Sequence, residues 1–285
     1  NGHPVECDVF TAIEENGSGA HGREVFKVFP PIAVLTVSVD PATIHVHTGH
    51  ENAKVEILDG ETVVAKGFGS ESDIVVPDAK LWSAETPNLY KLVVEAIANK
   101  QTIEATAFDV GFRSVEIRNK QLLVNGKAVY LKGVNRHEMN PNNGYHLSFA
   151  DMEKDIRVLK ELNINAVRTC HYPDDPRWYD LCNRYGIYLV SEADVETHGY
   201  GYGPQCLAKH EEYLHSHLER NQRMVLRSFN NPSIVIWSLG NESSFGQAFF
   251  KGANYIKNRD KTRPVHYEGL QNADPKYYYT ELVDM

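Results

Sequence analysis

In the stretch IVIWSLGNES, residues 234–243, a run of apolar and β-branched residues leads directly into an Asn-Glu pair, Asn241 and Glu242. A continuous apolar run of this length is typical of a buried strand in a parallel sheet. Glu242 at the end of such a strand has the chemistry of a catalytic acid, and the amide of Asn241 can hold a substrate hydroxyl. The alternative is that Glu242 caps the following helix, because acidic side chains favour helix N-termini.

A second polar pair lies in the stretch ETHG at residues 196–199. Glu196 and His198 are separated by one residue, so on an extended backbone both side chains face the same way. A carboxylate and an imidazole could hold a divalent ion, with Glu242 as a third ligand from the next strand. Because two ligands are a weak metal signal, a carboxylate–histidine hydrogen bond without an ion is the alternative.

Two histidines, His137 and His171, each follow a run that reads as a strand. A single histidine in such a position is often a structural hydrogen-bonding group. Two on one rim could instead hold substrate hydroxyls or stabilise charge. Arg168 precedes the end of its strand, and the sequence predicts it to be a structural residue of the sheet interior.

Short β-rich runs separated by Pro, Gly, Asn and Asp fill the first part of the chain. They read IAVLTVSVD, TIHVHT, AKVEIL, TVVAKGF, DIVVP, LYKLVVEAIA and TIEATAFDVGF. Short alternating strands without intervening helices predict an antiparallel, immunoglobulin-like β-sandwich, which we place at residues 30–117. Residues 1–29, with the polar run EENGSGAHG, are interpreted as an exposed arm or the remnant of an upstream domain.

Local signals mark several elements in the second part of the chain. Asn125-Gly126 predicts a hairpin turn, and the stretch IYLVSEADVETHG reads as one strand. Ser148 is the predicted N-cap of a helix with Met152, Ile156, Leu159 and Leu162 on one face, and Gly186 is predicted to end the next helix.

Strands and helices alternate in the second part, at residues 118–285, which predicts a parallel sheet covered by helices. The candidate polar residues all follow strands, and this is how a (β/α)8 TIM barrel builds an active site. We count five barrel strands, ending with PVHYEG. A whole barrel needs about 250 residues, so the predicted fold class is a multidomain β and α/β protein whose barrel is incomplete in this chain.

The net charge and the cysteine content limit the classes of partner and site that the chain is expected to have. The chain has 285 residues, a formal net charge of −9 and a pI near 5.8. A nucleic-acid or anionic-membrane surface would favour a basic face, so neither is expected as a partner. The four cysteines form no C-x-x-C pair, which argues against a disulfide framework or a thiolate zinc site. The compartment is left open, with a slight preference for the cytoplasm over the periplasm or secretion.

Several longer motifs occur together over roughly residues 80 to 270. They are LWSAETPNLYKLVVE, GFRSVEIRNKQLLVNGKAVYLKGVNRHEMNP, NAVRTCHYP, LCNRYGIYLVSEADVETHG, NPSIVIWSLGNES and RPVHYEG. In this order the chain resembles glycoside hydrolase family 2, and within it the long-chain β-galactosidases. The resemblance implies an internal segment of such an enzyme, holding the immunoglobulin-like domain and part of the catalytic barrel.

The resemblance also implies roles for individual residues. Glu242 matches the general acid/base and Asn241 the partner of the sugar 2-hydroxyl. His137 and His171 match substrate-contacting histidines. Glu196, His198 and Glu242 match ligands of Mg²⁺, with Na⁺ a further candidate cation in the intact protein. The nucleophile of the family is a Glu in a later segment resembling Glu-Tyr-Ala-His, which this sequence lacks.

The function predicted on this basis is hydrolysis of terminal β-D-galactosides such as lactose, with retention, by an intact homo-oligomer; the chain alone is expected to be inactive. A β-glucuronidase or β-mannosidase of the same family is the near alternative, and ETHG favours the galactosidase. A non-catalytic carbohydrate-binding protein with a decayed barrel is a third reading. A metal-dependent hydrolase that activates water is a further alternative, but it would require more metal ligands than Glu196, His198 and Glu242.

Overall fold

The computed structural model describes residues 33–272 and 282–283. Its first part is a β-sandwich of two antiparallel sheets, with strand orders β1-β2-β5 and β4-β3-β6-β7. The strands are β1 (Ala33–Val39), β2 (Ala42–His47), β3 (Ala53–Asp59), β4 (Thr62–Phe68), β5 (Glu71–Val75), β6 (Tyr90–Ala98) and β7 (Gln101–Val110). Each of the seven predicted runs forms one of these strands, so this part of the fold prediction is confirmed.

Side-chain alternation produces the sandwich core. Along β6, alternate residues from Tyr90 to Ala96 are buried, because successive side chains on a strand point to opposite faces. They pack with the inward residues of β2 and β3, including Ile44, Val46, Val55 and Ile57. The predicted arm at residues 1–29 lies outside the described residues.

A small antiparallel sheet connects the sandwich to the second part of the chain. It contains β8 (Val115–Arg118), β9 (Gln121–Val124) and β10 (Lys127–Ala128), in the order β10-β9-β8. The turn between β9 and β10 is Asn125-Gly126, and both residues have positive φ, as a tight hairpin turn requires.

The second part is built on a parallel sheet. Its strands are β11 (Gly133–Arg136), β12 (Ala166–Thr169), β13 (Tyr188–Glu192), β14 (Ile234–Ser238), β15 (Val265–His266) and β16 (Leu282–Val283), paired in sequence order. The described residues thus contain six barrel strands. Our count of five was wrong, and the edge after PVHYEG is not free, since β16 pairs with β15. A strand of two residues carries too little periodicity to be found in the sequence.

The helices are α1 (Phe149–Glu161), α2 (Pro176–Tyr185), α3 (Leu214–Ser228) and α4 (Gln247–Arg259). Ser148 caps α1 in a capping box with Asp151, as its sequence predicts, and Gly186 ends α2 in a left-handed conformation. One expectation about α1 was wrong. Leu162 is 67% exposed rather than part of the buried face, because the helix ends at Glu161.

Contacts between the sandwich end and the barrel hold the two parts together. The indole of Trp82 donates to the carbonyl of Asn183 at 2.9 Å, and Trp82 packs with Val235 and Ile236 of β14. The guanidinium of Arg113 donates to the carbonyls of Pro232 and Ile234, each at 2.8 Å. These bonds anchor the start of β14, the strand that ends before Asn241 and Glu242.

Within the described residues, Cys170, Cys182 and Cys206 are free and buried. Among the same residues, we find no helix with the length and apolar character that crossing a membrane requires.

Candidate active site

The candidate residues meet at the carboxyl edge of the parallel sheet. His137 follows β11, His171 follows β12 after one residue, Glu192 ends β13, and Glu268 follows β15. Asn241 and Glu242 follow β14 after Leu239 and Gly240. Parallel pairing brings these strand ends together, so residues distant in sequence share one rim.

Glu242 is held by several groups at this rim. Its Oε2 lies 3.1 Å from Nδ1 of His198, and its Oε1 accepts from the hydroxyl of Tyr202 at 3.3 Å. Its backbone N–H donates to Oε1 of Glu268 at 2.7 Å. The side chain is 40% exposed, so the carboxylate is fixed and still reachable from solvent.

The capping alternative for Glu242 is excluded. Helix α4 begins at Gln247, and its N-cap is Gly246, which makes no side-chain cap. Glu242 instead adopts a φ of +30°, in the region that favours glycine. Such a conformation in a non-glycine residue persists only where the surroundings hold it, and it occurs preferentially at functional sites.

Gly240 allows the backbone before this pair to approach a neighbouring loop. It has a φ of +144°, and a Cβ there would lie 2.5 Å from the carbonyl oxygen of Val195. Val195 also accepts from the N–H of Asn241 at 2.8 Å. Gly240 therefore sets the position of Asn241 and Glu242 against the segment that carries Glu196.

Gly240→Ala is expected to destabilise the protein and to displace the Asn-Glu pair. Gly126→Ala is the matched control, because Gly126 also has positive φ but no atom within 4 Å of its Cβ position. Backbone strain alone costs about 1–3 kcal/mol. Gly240→Ala should therefore lower the free energy of unfolding by more than Gly126→Ala does, because its Cβ also meets Val195. The measurement is urea unfolding of both variants. Equal losses would show that the contact with Val195 is unimportant.

The predicted metal ligands Glu196, His198 and Glu242 come together. One ligand atom from each residue lies within 4.8 Å of the others. Oxygen ligands with one imidazole suit a hard cation such as Mg²⁺, so the donor set fits the ion that the sequence suggested. The hydrogen bond within this cluster joins His198 to Glu242 rather than to Glu196.

The backbone of ETHG differs from the prediction. We expected an extended strand up to Gly199, but β13 ends at Glu192. Glu196 forms an isolated bridge with Asn241, and His198 begins a 3-10 turn, His198–Tyr200. The ladder between β13 and β14 ends with Glu192 opposite Ser238, so only the loop beyond it brings Glu196 and His198 to Glu242.

Glu192 is a site residue that sequence reasoning missed. It is fully buried and accepts from Nε and Nη2 of Arg168 at 2.6 and 2.9 Å. It also accepts from the hydroxyl of Ser238 at 2.6 Å, and its Oε1 lies 2.7 Å from Nδ1 of His171. The sequence does contain a signal for this residue, because Glu192 is a carboxylate at the end of the mostly apolar run YLVS of β13.

Arg168 links Glu192 to Asn241. Its Nη2 donates to the side-chain oxygen of Asn241 at 2.8 Å, which turns the amide nitrogen of Asn241 towards Glu242, 3.4 Å away. The sequence predicted Arg168 only as a structural residue of the sheet interior. It lies there, and it also orients one of the candidate substrate-binding groups.

The rings of His137 and His171 face each other edge to face, with centroids 5.5 Å apart. His171 is held through Glu192, whereas His137 is exposed and has its Nδ1 3.5 Å from the hydroxyl of Tyr172. The structure therefore brings both predicted histidines to the rim. Whether they contact a substrate stays a prediction.

Glu268 supplies another carboxylate at the same edge. Burial raises the pKa of Glu268, an effect that its bond from the Glu242 backbone opposes and that the nearby charge of Glu242 reinforces. Its oxygen is engaged by that backbone N–H. Glu268 thus supports the strained backbone at Glu242.

Comparison with known proteins places this chain in a family. A model described as glycosyl hydrolases family 2, TIM barrel domain, matches residues 115–283, and a model described as glycosyl hydrolases family 2 matches residues 33–113. The chain belongs to glycoside hydrolase family 2. The two matches confirm the predicted fold class, a β-sandwich followed by part of a TIM barrel.

Curated relatives of this chain carry the name beta-galactosidase. A protein of Psychromonas ingrahamii is 47% identical over 201 residues, which cover 70% of this chain and 19% of the relative. A protein of Photobacterium profundum is 40% identical over 256 residues, covering 84% of this chain and 24% of the relative. The chain thus spans about a fifth to a quarter of the length of these relatives.

A solved structure, the beta-glucuronidase of Ruminococcus gnavus, is similar to this chain with a TM-score of 0.74 and 26% sequence identity. The match covers 84% of this chain and 43% of that structure. A beta-D-glucuronidase structure from Dictyoglomus thermophilum matches with a TM-score of 0.71 and 27% identity, covering 79% of this chain and 41% of that structure.

Proposed function

We propose that this chain is part of a retaining β-galactosidase in which Glu242 is the general acid/base. The observation that carries the proposal is the geometry around Glu242. Its carboxylate is fixed at the sheet edge beside Asn241, Glu196 and His198, in a chain 40–47% identical to two proteins named beta-galactosidase. A galactoside such as lactose is the proposed substrate class.

Retention requires two carboxyl groups, about 5–5.5 Å apart. In the proposed mechanism Glu242 protonates the departing glycosidic oxygen and later removes a proton from the attacking water. The second carboxylate attacks the anomeric carbon and comes from a later barrel strand, as the family resemblance implies. Asn241 is proposed to bind the sugar 2-hydroxyl through its amide nitrogen, since Arg168 occupies its oxygen.

The charges at the rim support a neutral sugar rather than a uronic acid. Four carboxylates make this edge of the sheet acidic: Glu192, Glu196, Glu242 and Glu268. The guanidinium of Arg168 is paired with Glu192, and that of Arg136 with Asp155 and Asp174. A uronate carboxylate would need a cation free to bind it, and these two arginines are already engaged. This argument favours a β-galactosidase over a β-glucuronidase.

Glu196, His198 and Glu242 would hold Mg²⁺. The ion would supply positive charge beside Glu242, which positions this carboxylate and assists departure of the leaving group. In its absence, the hydrogen bond from His198 orients Glu242. A bound cation also lowers the pKa of a carboxylate, so the contact with Glu242 must be loose enough for Glu242 to carry a proton. Na⁺ and a homo-oligomer remain expectations for the intact enzyme.

The substrate is tested by assaying a full-length enzyme that contains this chain on chromogenic β-galactoside and β-glucuronide. We expect hydrolysis of the galactoside with retention at the anomeric carbon, followed by NMR. Preferential turnover of the glucuronide would contradict the substrate proposal, and an inverted product would contradict the mechanism.

Removal of Mg²⁺ should reduce galactosidase activity without abolishing it, because Tyr202 and Glu268 also hold Glu242, and Arg168 holds Asn241. Glu196→Gln should raise the Mg²⁺ concentration for half-maximal activity by at least about tenfold. The exposed Glu211 offers a control in Glu211→Gln. Complete loss of turnover on chelation would favour hydrolysis by metal-activated water instead.

A further inference from the structure

A second group of metal-binding side chains lies on the same rim. One ligand atom from each of His137, Cys170 and His171 lies within 4.8 Å of the others. His137 directly follows β11, while Cys170 and His171 directly follow β12. These strands pair in parallel over their whole length, so the sheet itself holds the three residues together.

The donor set differs from that of Glu196, His198 and Glu242. Two imidazoles and a thiolate suit Zn²⁺ and similar borderline-soft ions, whereas Mg²⁺ prefers oxygen ligands. Three protein ligands also leave one tetrahedral position open, an arrangement found where zinc accepts an exchangeable ligand. The chemistry of the two clusters therefore separates the cations that they would bind.

The ring of His171 is fixed by a carboxylate. Its Nδ1 lies 2.7 Å from the buried carboxylate of Glu192, which assigns the ring proton to Nδ1 and leaves the lone pair on Nε2. Ligating histidines commonly donate their other ring nitrogen to a carboxylate in this way. Glu192 supplies this support before any ion is bound.

Access to the cluster is from the His137 side. His137 is exposed, His171 is partly buried, and Cys170 is 1% exposed. Binding of a divalent cation to the sulfur of Cys170 would release the thiol proton to solvent and form the metal–sulfur bond.

We propose that His137, Cys170 and His171 form a binding site for Zn²⁺ or a similar borderline-soft divalent ion, separate from the Mg²⁺ cluster, and that its occupancy blocks the sugar. The block of the sugar rests on the proposed function and on the predicted contact of His137 and His171 with the substrate. The binding of the ion does not depend on that function.

Cobalt is the probe for binding, because Co²⁺ bound to a thiolate has a charge-transfer absorption in the near ultraviolet. Titration of the full-length enzyme with Co²⁺, in the presence of Mg²⁺ and without substrate, should produce a saturable band that Zn²⁺ displaces. Cys170→Ala should remove this band. Cys182→Ala, which deletes a thiol buried on α2, should keep it. No band in the unmodified enzyme, or an equal band in Cys170→Ala, would overturn the site.

A second variant guards against misfolding. The side chain of His137 is exposed, so His137→Gln should preserve the fold and weaken Co²⁺ binding at least about tenfold. In kinetics, Zn²⁺ should raise the KM for a galactoside and leave kcat unchanged. Cobalt binding without this competition would overturn the block of the sugar and leave the metal site standing. Absence of galactosidase activity together with a normal cobalt band would refute the proposed function alone.

Discussion

Glu242→Gln should slow hydrolysis of galactosides with poor leaving groups by about 10²–10⁴-fold, the usual contribution of general acid–base catalysis. Activated aryl galactosides should lose far less in the step that releases the aryl group, because that group departs without a proton. The amide keeps the shape of the carboxylate but cannot deliver a proton. The measurement is kcat/KM of the full-length variant on both substrate types.

The contrast between the two substrates is the internal control. A matched external control is Glu219→Gln, because Glu219 is a partly exposed carboxylate on α3 that pairs with Arg223. This change should leave both rates unaltered. Equal losses on the two substrates in Glu242→Gln would show that Glu242 acts otherwise, for instance only in binding the metal.

Glu192→Ala should lower the free energy of unfolding by about 3–5 kcal/mol, the usual cost of removing one partner of a buried ion pair. Glu192 is fully buried and pairs with Arg168, which is only 15% exposed, so the arginine would keep a charge without its carboxylate. Loss of Glu192 also frees His171 and, through Arg168, Asn241. Displacement of a substrate-positioning group by about 1 Å can reduce the catalytic rate by about 10²-fold.

The test of this positioning role combines urea unfolding with kinetics at a temperature where the variant stays folded. Glu192→Gln keeps a hydrogen-bond acceptor for Arg168 and should recover part of the lost kcat/KM. Glu219→Gln should change stability by less than about 1 kcal/mol, since it removes only a surface ion pair. Normal kcat/KM in folded Glu192→Ala would show that Glu192 contributes stability alone.

The local pattern was sufficient for most of the architecture. Alternation predicted the seven sandwich strands, and Asn125-Gly126 the hairpin. Ser148 and Gly186 marked the ends of their helices because capping depends on nearby backbone groups. The apolar run before Asn241 and Glu242 placed this pair at the end of a buried strand, since strands of a parallel sheet covered on both faces are predominantly apolar.

Long-range contacts decided the rest. The run up to ETHG reads as one strand, but pairing with β14 ends at Glu192, and the loop that follows brings Glu196 and His198 to Glu242. The residue at which a strand ends depends on its pairing with the neighbouring strand, and this pairing cannot be predicted from the residues of the strand alone. The two-residue strand β16 was missed for the same reason, since it exists only through pairing with β15.

The role of Glu192 also became visible only in three dimensions. Its partners come from two other segments of the chain: Arg168 and His171 from the end of β12 and the residues after it, and Ser238 from β14, separated from Glu192 by 24, 21 and 46 residues. In the sequence Glu192 is one more carboxylate beside an apolar run. A buried charge is stable only where such partners converge, and the fold, by aligning the ends of β12, β13 and β14, determines that convergence.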